Sequence, residues 1–273
     1  MTLSADLDRM AAAVRARCPL TPKAAILLGT GLGSVAKAIT AQATIPYHDI
    51  PGMPVSTAES HKGELVLGTL AGVPVAAFSG RLHCYEGYSP QQVVAPVRLA
   101  RRLGAGVLIM GSAVGGLDPR LEVGSVALIE DHINLMGVNP LVGPNDDQVG
   151  PRWPDMIHTY CPRLASVAEA VALERQVRLA RATYVGVLGP NLETRAEYRW
   201  LRSMGADVVG MSTVPEAIAA VHCGLRTLAF AIVTDRCLPD ALEPANVPAI
   251  IAAAQRAEPI VTGLITAVLP RLP

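Results

Sequence analysis

Within the stretch Ser79-Gly80-Arg81-Leu82-His83-Cys84-Tyr85-Glu86-Gly87-Tyr88 the chain gathers a guanidinium, an imidazole and two phenols. A guanidinium offers paired donors that match a tetrahedral oxyanion. Arg81 and His83 are two residues apart, so on an extended segment they point to the same side. A solvated charged turn is the lesser, alternative reading of the stretch. Upstream stands Gly29-Thr30-Gly31-Leu32-Gly33-Ser34, directly after a short apolar run. Its G-x-G-x-G spacing is one residue short of a dinucleotide fingerprint, and it lacks the G-K-[ST] of a P-loop. What the glycines allow is close backbone approach, with N–H groups and the Thr30 hydroxyl aimed at a small anion. Taken alone this too reads as a tight turn. The two segments together point to a phosphate or carboxylate site.

Three further apolar runs end in similar punctuation: Met110-Gly111-Ser112-Ala113-Val114-Gly115-Gly116, Gly189-Pro190-Asn191-Leu192-Glu193-Thr194 and Gly210-Met211-Ser212-Thr213-Val214-Pro215-Glu216. In open α/β sheets ligands sit beyond the carboxyl ends of strands, so these loops can converge on one site. Glu193 and Glu216 are polar groups beside apolar strand ends; each is also placed to complement the dipole of a following helix.

The elements that must hold these loops are legible as short apolar runs. They are 24–29, 65–70, 73–80, 107–113, 125–130, 183–189, 207–211 and 227–234. Several are apolar at every position, as a sheet covered on both faces requires. Helical periodicity marks 5–17, 91–102, 162–173, 194–204, 214–223 and 249–269. Strands and helices alternate, which predicts a three-layer α/β/α sandwich with a mixed, mostly parallel central sheet. The segment 139–154 is the one long irregular stretch, and such loops are usually functional or at an interface.

The chain has 273 residues, 51% hydrophobic and 17% charged, enough apolar material for a sizeable core. One domain over residues 1–273 is expected. Lys and Arg total 23, as do Asp and Glu, so no global field favours a nucleic acid or an anionic membrane surface. The five cysteines are widely spaced and form no C-x-x-C pair, so they read as reduced thiols. No apolar run reaches the roughly 18 residues a membrane span needs. A cytoplasmic protein is expected, with no membrane partner.

The ordered set GTGLG (29–33), GRLHCYEGY (80–88), AVGGL (113–117), DHINL (131–135), GPNLET (189–194) and GADVVGMSTVPE (205–216) resembles the trimeric class of purine nucleoside phosphorylases. That family also includes the methylthioadenosine phosphorylases. The resemblance covers nearly the whole chain and implies the nucleoside phosphorylase fold. It further implies cleavage of a purine (deoxy)nucleoside by inorganic phosphate, a co-substrate, with no metal or organic cofactor. Residue by residue it implies that Thr30, His61, Arg81, His83, the Ala113 N–H and Ser212 bind phosphate. Tyr85, Met211 and Val247 would line the ribose; Leu192, Glu193, Val209, Met211, Thr234 and Asp235 would form the base pocket. His83, Glu193 and Asp235 would carry the catalytic roles, and Trp153 would close a neighbouring subunit's site in a homotrimer.

Three positions depart from the family pattern. Asp235 stands where the family commonly has Asn; an ionised Asp only accepts, which favours a 6-amino purine, whereas a protonated one would donate to N7 of a 6-oxopurine. Glu193, by contrast, is the residue that 6-oxopurine enzymes use. Val247 replaces a histidine for the ribose 5′-hydroxyl, which would tolerate a 5′-methylthio group, and Ser112 replaces an Asn with no evident consequence. The leading reading is therefore phosphorolysis of inosine and guanosine nucleosides, with adenosine as a further substrate. The alternatives are a 5′-methylthioadenosine phosphorylase and, from a different class, a nucleoside-binding module without catalysis. Turnover that requires phosphate separates the last from the first two.

Overall fold

The structure is a computed structural model that describes residues 2–29, 32–57 and 62–273. Thr30 and His61, two of the expected phosphate ligands, lie outside the described residues. Strand β1 (Ala24–Leu28) is buried at all five positions. Its unbroken apolar run follows from its place in the sheet, between strands on both edges and helices on both faces. Strand β2 (Thr40–Pro46) pairs antiparallel with β3 (Glu64–Leu70), which pairs antiparallel with β4 (Val73–Ser79). β1 then runs parallel to both β4 and β5 (Val107–Gly116).

Beyond β5 the sheet closes on itself. β5 pairs antiparallel with β8 (Val208–Gly210) and parallel with β9 (Arg226–Arg236). β8 pairs with β7 (Leu179–Gly186), β7 with β6 (Val126–Asn134), and β6 antiparallel with β9. These five strands form a ring, a detail the alternating pattern of elements does not reveal.

Helices cover both faces, as expected for three layers. On one face α1 (Leu3–Arg17), α4 (Ala95–Leu103) and α7 (Val214–His222) bury side chains in one apolar cluster. On the other, α2 (Gly33–Lys37), α5 (Pro162–Glu174) and α8 (Val247–Val268) share a second. A smaller third cluster joins α6 (Arg195–Ser203) to β7, β8 and Cys237 just beyond β9. α6 is started by a reciprocal cap: Thr194 Oγ1 accepts from Glu197 N–H, and the Glu197 carboxylate accepts from Thr194 N–H.

Several boundaries differ from the sequence reading. β2 went unread because it is an edge strand of small and polar residues, largely exposed and ending at Pro46. The expected helix over 91–102 is divided into α3 (Pro90–Val93) and α4, because Pro96 in the first turn of α4 has no N–H to continue the ladder. Gly115 and Gly116, expected to follow a strand end, are inside β5, opposite Val209 and Val208 of β8. Among the described residues no helix is long and apolar enough to cross a membrane, and all five cysteines are free.

Candidate active site

The carboxyl ends of β4, β5, β7, β8 and β9 surround a cavity of about 390 Å3. Two bonded groups of residues line it. The first is built around Arg81, whose side chain is almost wholly buried. Its Nε donates to Glu216 Oε1 at 2.8 Å, Nη1 to the Gly111 carbonyl at 2.9 Å, and Nη2 to Thr213 Oγ1 at 3.3 Å. Glu216 lies in the first turn of α7, where the helix dipole also favours a carboxylate. The expectation that it only caps a helix is thereby extended: it pairs with the guanidinium that faces the cavity.

Ser212 is aimed by an unusual turn. Thr213 has φ 62° and ψ −49°, and Val214 N–H donates to the Ser212 carbonyl at 2.6 Å, closing a γ-turn around it. Ser212 N–H donates to the Tyr184 hydroxyl at 3.2 Å, and Ser212 lies in the cavity wall. A side chain at such a backbone angle is uncommon and is kept only where the surroundings fix it. Here Thr213 is 1% exposed and bonded to Arg81.

His83 completes this side. Its Nδ1 lies 2.8 Å from Glu86 Oε1, which also accepts from the His83 N–H, and Tyr85 stacks on its ring at 4.6 Å. Burial pulls the His83 imidazole below its ordinary pKa, outweighing the opposing pull of Glu86. Burial alone would raise Glu86, but donors from Thr57 and His83 bring it below the usual carboxylate range.

The second group is built on a β-bulge. Val114 of β5 faces Val233, and Gly115 faces Asp235, so Thr234 is the extra residue in β9. Its hydroxyl lies 3.1 Å from the Val114 carbonyl and 2.8 Å from Asp235 Oδ1. The bulge re-aims the strand end and brings both Thr234 and Asp235 into the cavity wall. Cys237 Sγ donates to Asp235 Oδ2 at 3.2 Å. Across from them is Glu193, whose pKa burial raises.

Of the residues singled out by sequence, Arg81, His83, Tyr85, Ala113 and Ser212 line the cavity. So do Leu192, Glu193, Val209, Met211, Thr234, Asp235 and Val247. Trp153 does not: it is 84% exposed, with the Arg152 guanidinium 5.3 Å from its ring centre. A family model described as the phosphorylase superfamily matches residues 23–270. The chain is 46% identical to purine nucleoside phosphorylase 1 of Bacillus subtilis over 84% of each chain. It is 41% identical to the purine nucleoside phosphorylase of Rattus norvegicus over 97% of this chain and 96% of the relative. The chain belongs to the purine nucleoside phosphorylases of the phosphorylase superfamily.

The fold agrees with that membership. Isoform 2 of the Schistosoma mansoni purine nucleoside phosphorylase, solved in complex with cytosine and ribose-1-phosphate, superposes with a TM-score of 0.95. It is 35% identical and covers 98% of this chain and 97% of its own. In this chain the sequence reading missed Tyr198, Cys237 and Ile250 as cavity residues, and Glu86 and Thr213 as supports. Tyr198 carried the one usable signal, falling in the first turn after the Glu193-Thr194 cap. Cys237 gave none, since a lone thiol after a strand reads as core.

Proposed function

We propose that this protein cleaves purine ribo- and deoxyribonucleosides with inorganic phosphate, releasing free base and pentose 1-phosphate. It does so as a cytoplasmic homotrimer of single-domain subunits in purine salvage, without a metal or organic cofactor. The observation that carries this reading is that one cavity joins the Arg81, His83 and Ser212 donors to the Glu193 and Asp235 carboxyls. The bound ribose-1-phosphate of the Schistosoma mansoni relative supports it, because that molecule is a product of the same reaction.

In this reading Arg81, His83, Ser212 and the Ala113 N–H hold the phosphate, with Thr30 and His61 as further ligands. Tyr85, Met211 and Val247 flank the sugar, and Leu192, Val209 and Thr234 share the base with Glu193 and Asp235. As the bond from C1′ to N9 breaks, the sugar gains oxocarbenium character. A phosphate oxygen held on the opposite face stabilises that charge and forms the new bond to C1′. The purine leaves with the electron pair of the broken bond and is neutralised by a proton or hydrogen bond at N7, a contribution of about 10² to 10⁴ fold.

Base release from inosine, guanosine, adenosine and 5′-methylthioadenosine, with and without phosphate, tests the reading. Release that does not require phosphate sinks it. Arg81→Ala is expected to raise the phosphate KM by roughly tenfold or more, and that for nucleoside far less, because it removes charge-assisted donors from the anion alone. Equal effects on both substrates would count against the assignment. A second reading, preference for 5′-methylthioadenosine, is favoured by Val247, an apolar and 60% exposed side chain in the cavity wall. The relative kcat/KM for inosine and 5′-methylthioadenosine decides between them.

A further inference from the structure

Two buried side chains of the cavity wall, Tyr198 and Cys237, have no part in the reaction as described. They are 5% and 2% exposed. Tyr198 comes from the start of α6, whose cap Thr194 directly follows Glu193. Cys237 comes from just beyond β9, two residues after Asp235. The Cys237 thiol donates to Asp235 Oδ2, and the Thr234 hydroxyl engages Oδ1. Tyr198 lines the same wall as Glu193 and Cys237, and its phenol stands near the Glu193 carboxyl and the Cys237 thiol. Gly115 makes room for the arrangement: a Cβ there would collide with the Cys237 sulfur and approach Asp235 Oδ2 to 3.5 Å.

We propose that Tyr198 and Cys237 are positioning residues that bridge Glu193 and Asp235 and fix the two carboxyl groups as one acceptor edge, which selects purines by the donors they present. The proposal rests on the reading that this cavity holds a purine nucleoside. The one proton of the Cys237 thiol goes to Asp235 Oδ2, and the one proton of the Tyr198 phenol is the donor the proposal assigns to Glu193. With Thr234 on the other oxygen, Asp235 is engaged at both oxygens and each keeps a lone pair for the ligand. A carboxylate held in this way accepts from an exocyclic amino group or ring N–H and repels a base carbonyl, which gives discrimination by an unfavourable contact as well as a favourable one. Without the thiol, Asp235 is held at one oxygen only and the discrimination relaxes.

The test compares wild type with Cys237→Ala, Cys237→Ser and Tyr198→Phe, with folding checked by circular dichroism. Cys237→Ala is expected to lower the adenosine-to-inosine ratio of kcat/KM by roughly ten- to a hundredfold, the effect of one hydrogen bond to a charged group. Nucleoside KM rises and phosphate KM stays within about twofold, since the Arg81 group is untouched. Cys237→Ser restores the ratio, because a hydroxyl donates the same bond. Tyr198→Phe raises KM for both nucleosides and again spares phosphate. An unchanged ratio in Cys237→Ala, or failure of Cys237→Ser to restore it, overturns the bridge. Should Cys237→Ala not fold, an unchanged nucleoside KM in Tyr198→Phe overturns it instead. Wild-type protein without phosphate-dependent base release defeats the functional reading and this one together, whereas active wild type with unmoved variants defeats this one alone.

Discussion

The two sides of the cavity are built from different materials. On the arginine side a guanidinium and a carboxylate, 1% and 2% exposed, are locked together at 2.8 Å, and His83 and Glu86 form a second close pair. On the carboxyl side Asp235 leans on neutral donors, a threonine hydroxyl and a thiol, and Glu193 stands near a phenol. Burying full charges is expensive and succeeds only as complete pairs, so that side tolerates little change. Neutral donors cost less to bury and shift a contact by smaller steps. The contrast fits a site in which anion capture is fixed and base choice is adjustable.

Breaking the buried pair should therefore give the largest effect. Glu216→Gln leaves Arg81 buried without its counter-charge, and a loss on the order of 3–5 kcal/mol is expected in urea unfolding. The phosphate KM should rise with it, because the guanidinium is no longer held at the cavity wall. A loss below about 1 kcal/mol, the range of an exposed pair, would show that this side is no more rigid than the other.

The pH dependence of stability should separate the sides by sign. Burial lowers the pKa of His83, so its folded value lies below the ordinary 6.5. Such a group contributes stability that is fully present above 6.5 and is lost as pH falls toward and through the folded value. His132 and His222 are lowered by burial as well and act in the same direction. Glu193 is raised by burial, so its contribution is present below the ordinary 4.5 and is lost as pH rises through its folded value. Urea midpoints on either side of pH 6.5 are expected to show His83→Gln flattening the acid loss, and Glu193→Gln gaining stability at neutral pH. Two variants with parallel curves would erase the distinction.

The arginine side was legible in the sequence because its chemistry is compact: Arg81, His83 and Tyr85 occur within one short segment after one strand, although their support Glu86 in the same segment was missed. The strands that hold it were legible too, since full burial leaves an unbroken apolar signature, as in β1. What escaped were features that depend on contacts distant in sequence. Arg81 and Glu216 are 135 positions apart, and nothing in either segment announces the other. The bulge at Thr234 is a register shift between two strands, which no single run of residues encodes. The closure of the sheet at β5 belongs to the same class, because it turns on which strand pairs with which.

The smallest expected effect on folding is at Trp153, and it bears on whether the cavity is complete within one chain. The ring is 84% exposed, and Arg152, which lies over it, is held by the carbonyls of Leu141 and Gly143 at 3.2 and 2.7 Å. Removing the ring takes away little more than one exposed cation–π contact, about 0.5–1 kcal/mol, so Trp153→Ala should unfold almost with wild type. The loop keeps its own bonds through Arg152, so its shape should survive. A large aromatic surface left in solvent has another use in the proposed trimer, where it would cover the cavity of a neighbouring copy. In that arrangement the substitution raises the nucleoside KM by roughly tenfold, the loss of a buried aromatic contact, while the phosphate KM stays constant. Sedimentation of the wild type supplies the control: a monomer leaves the ring with nothing to cover, and an unchanged nucleoside KM in a proven trimer removes Trp153 from the site.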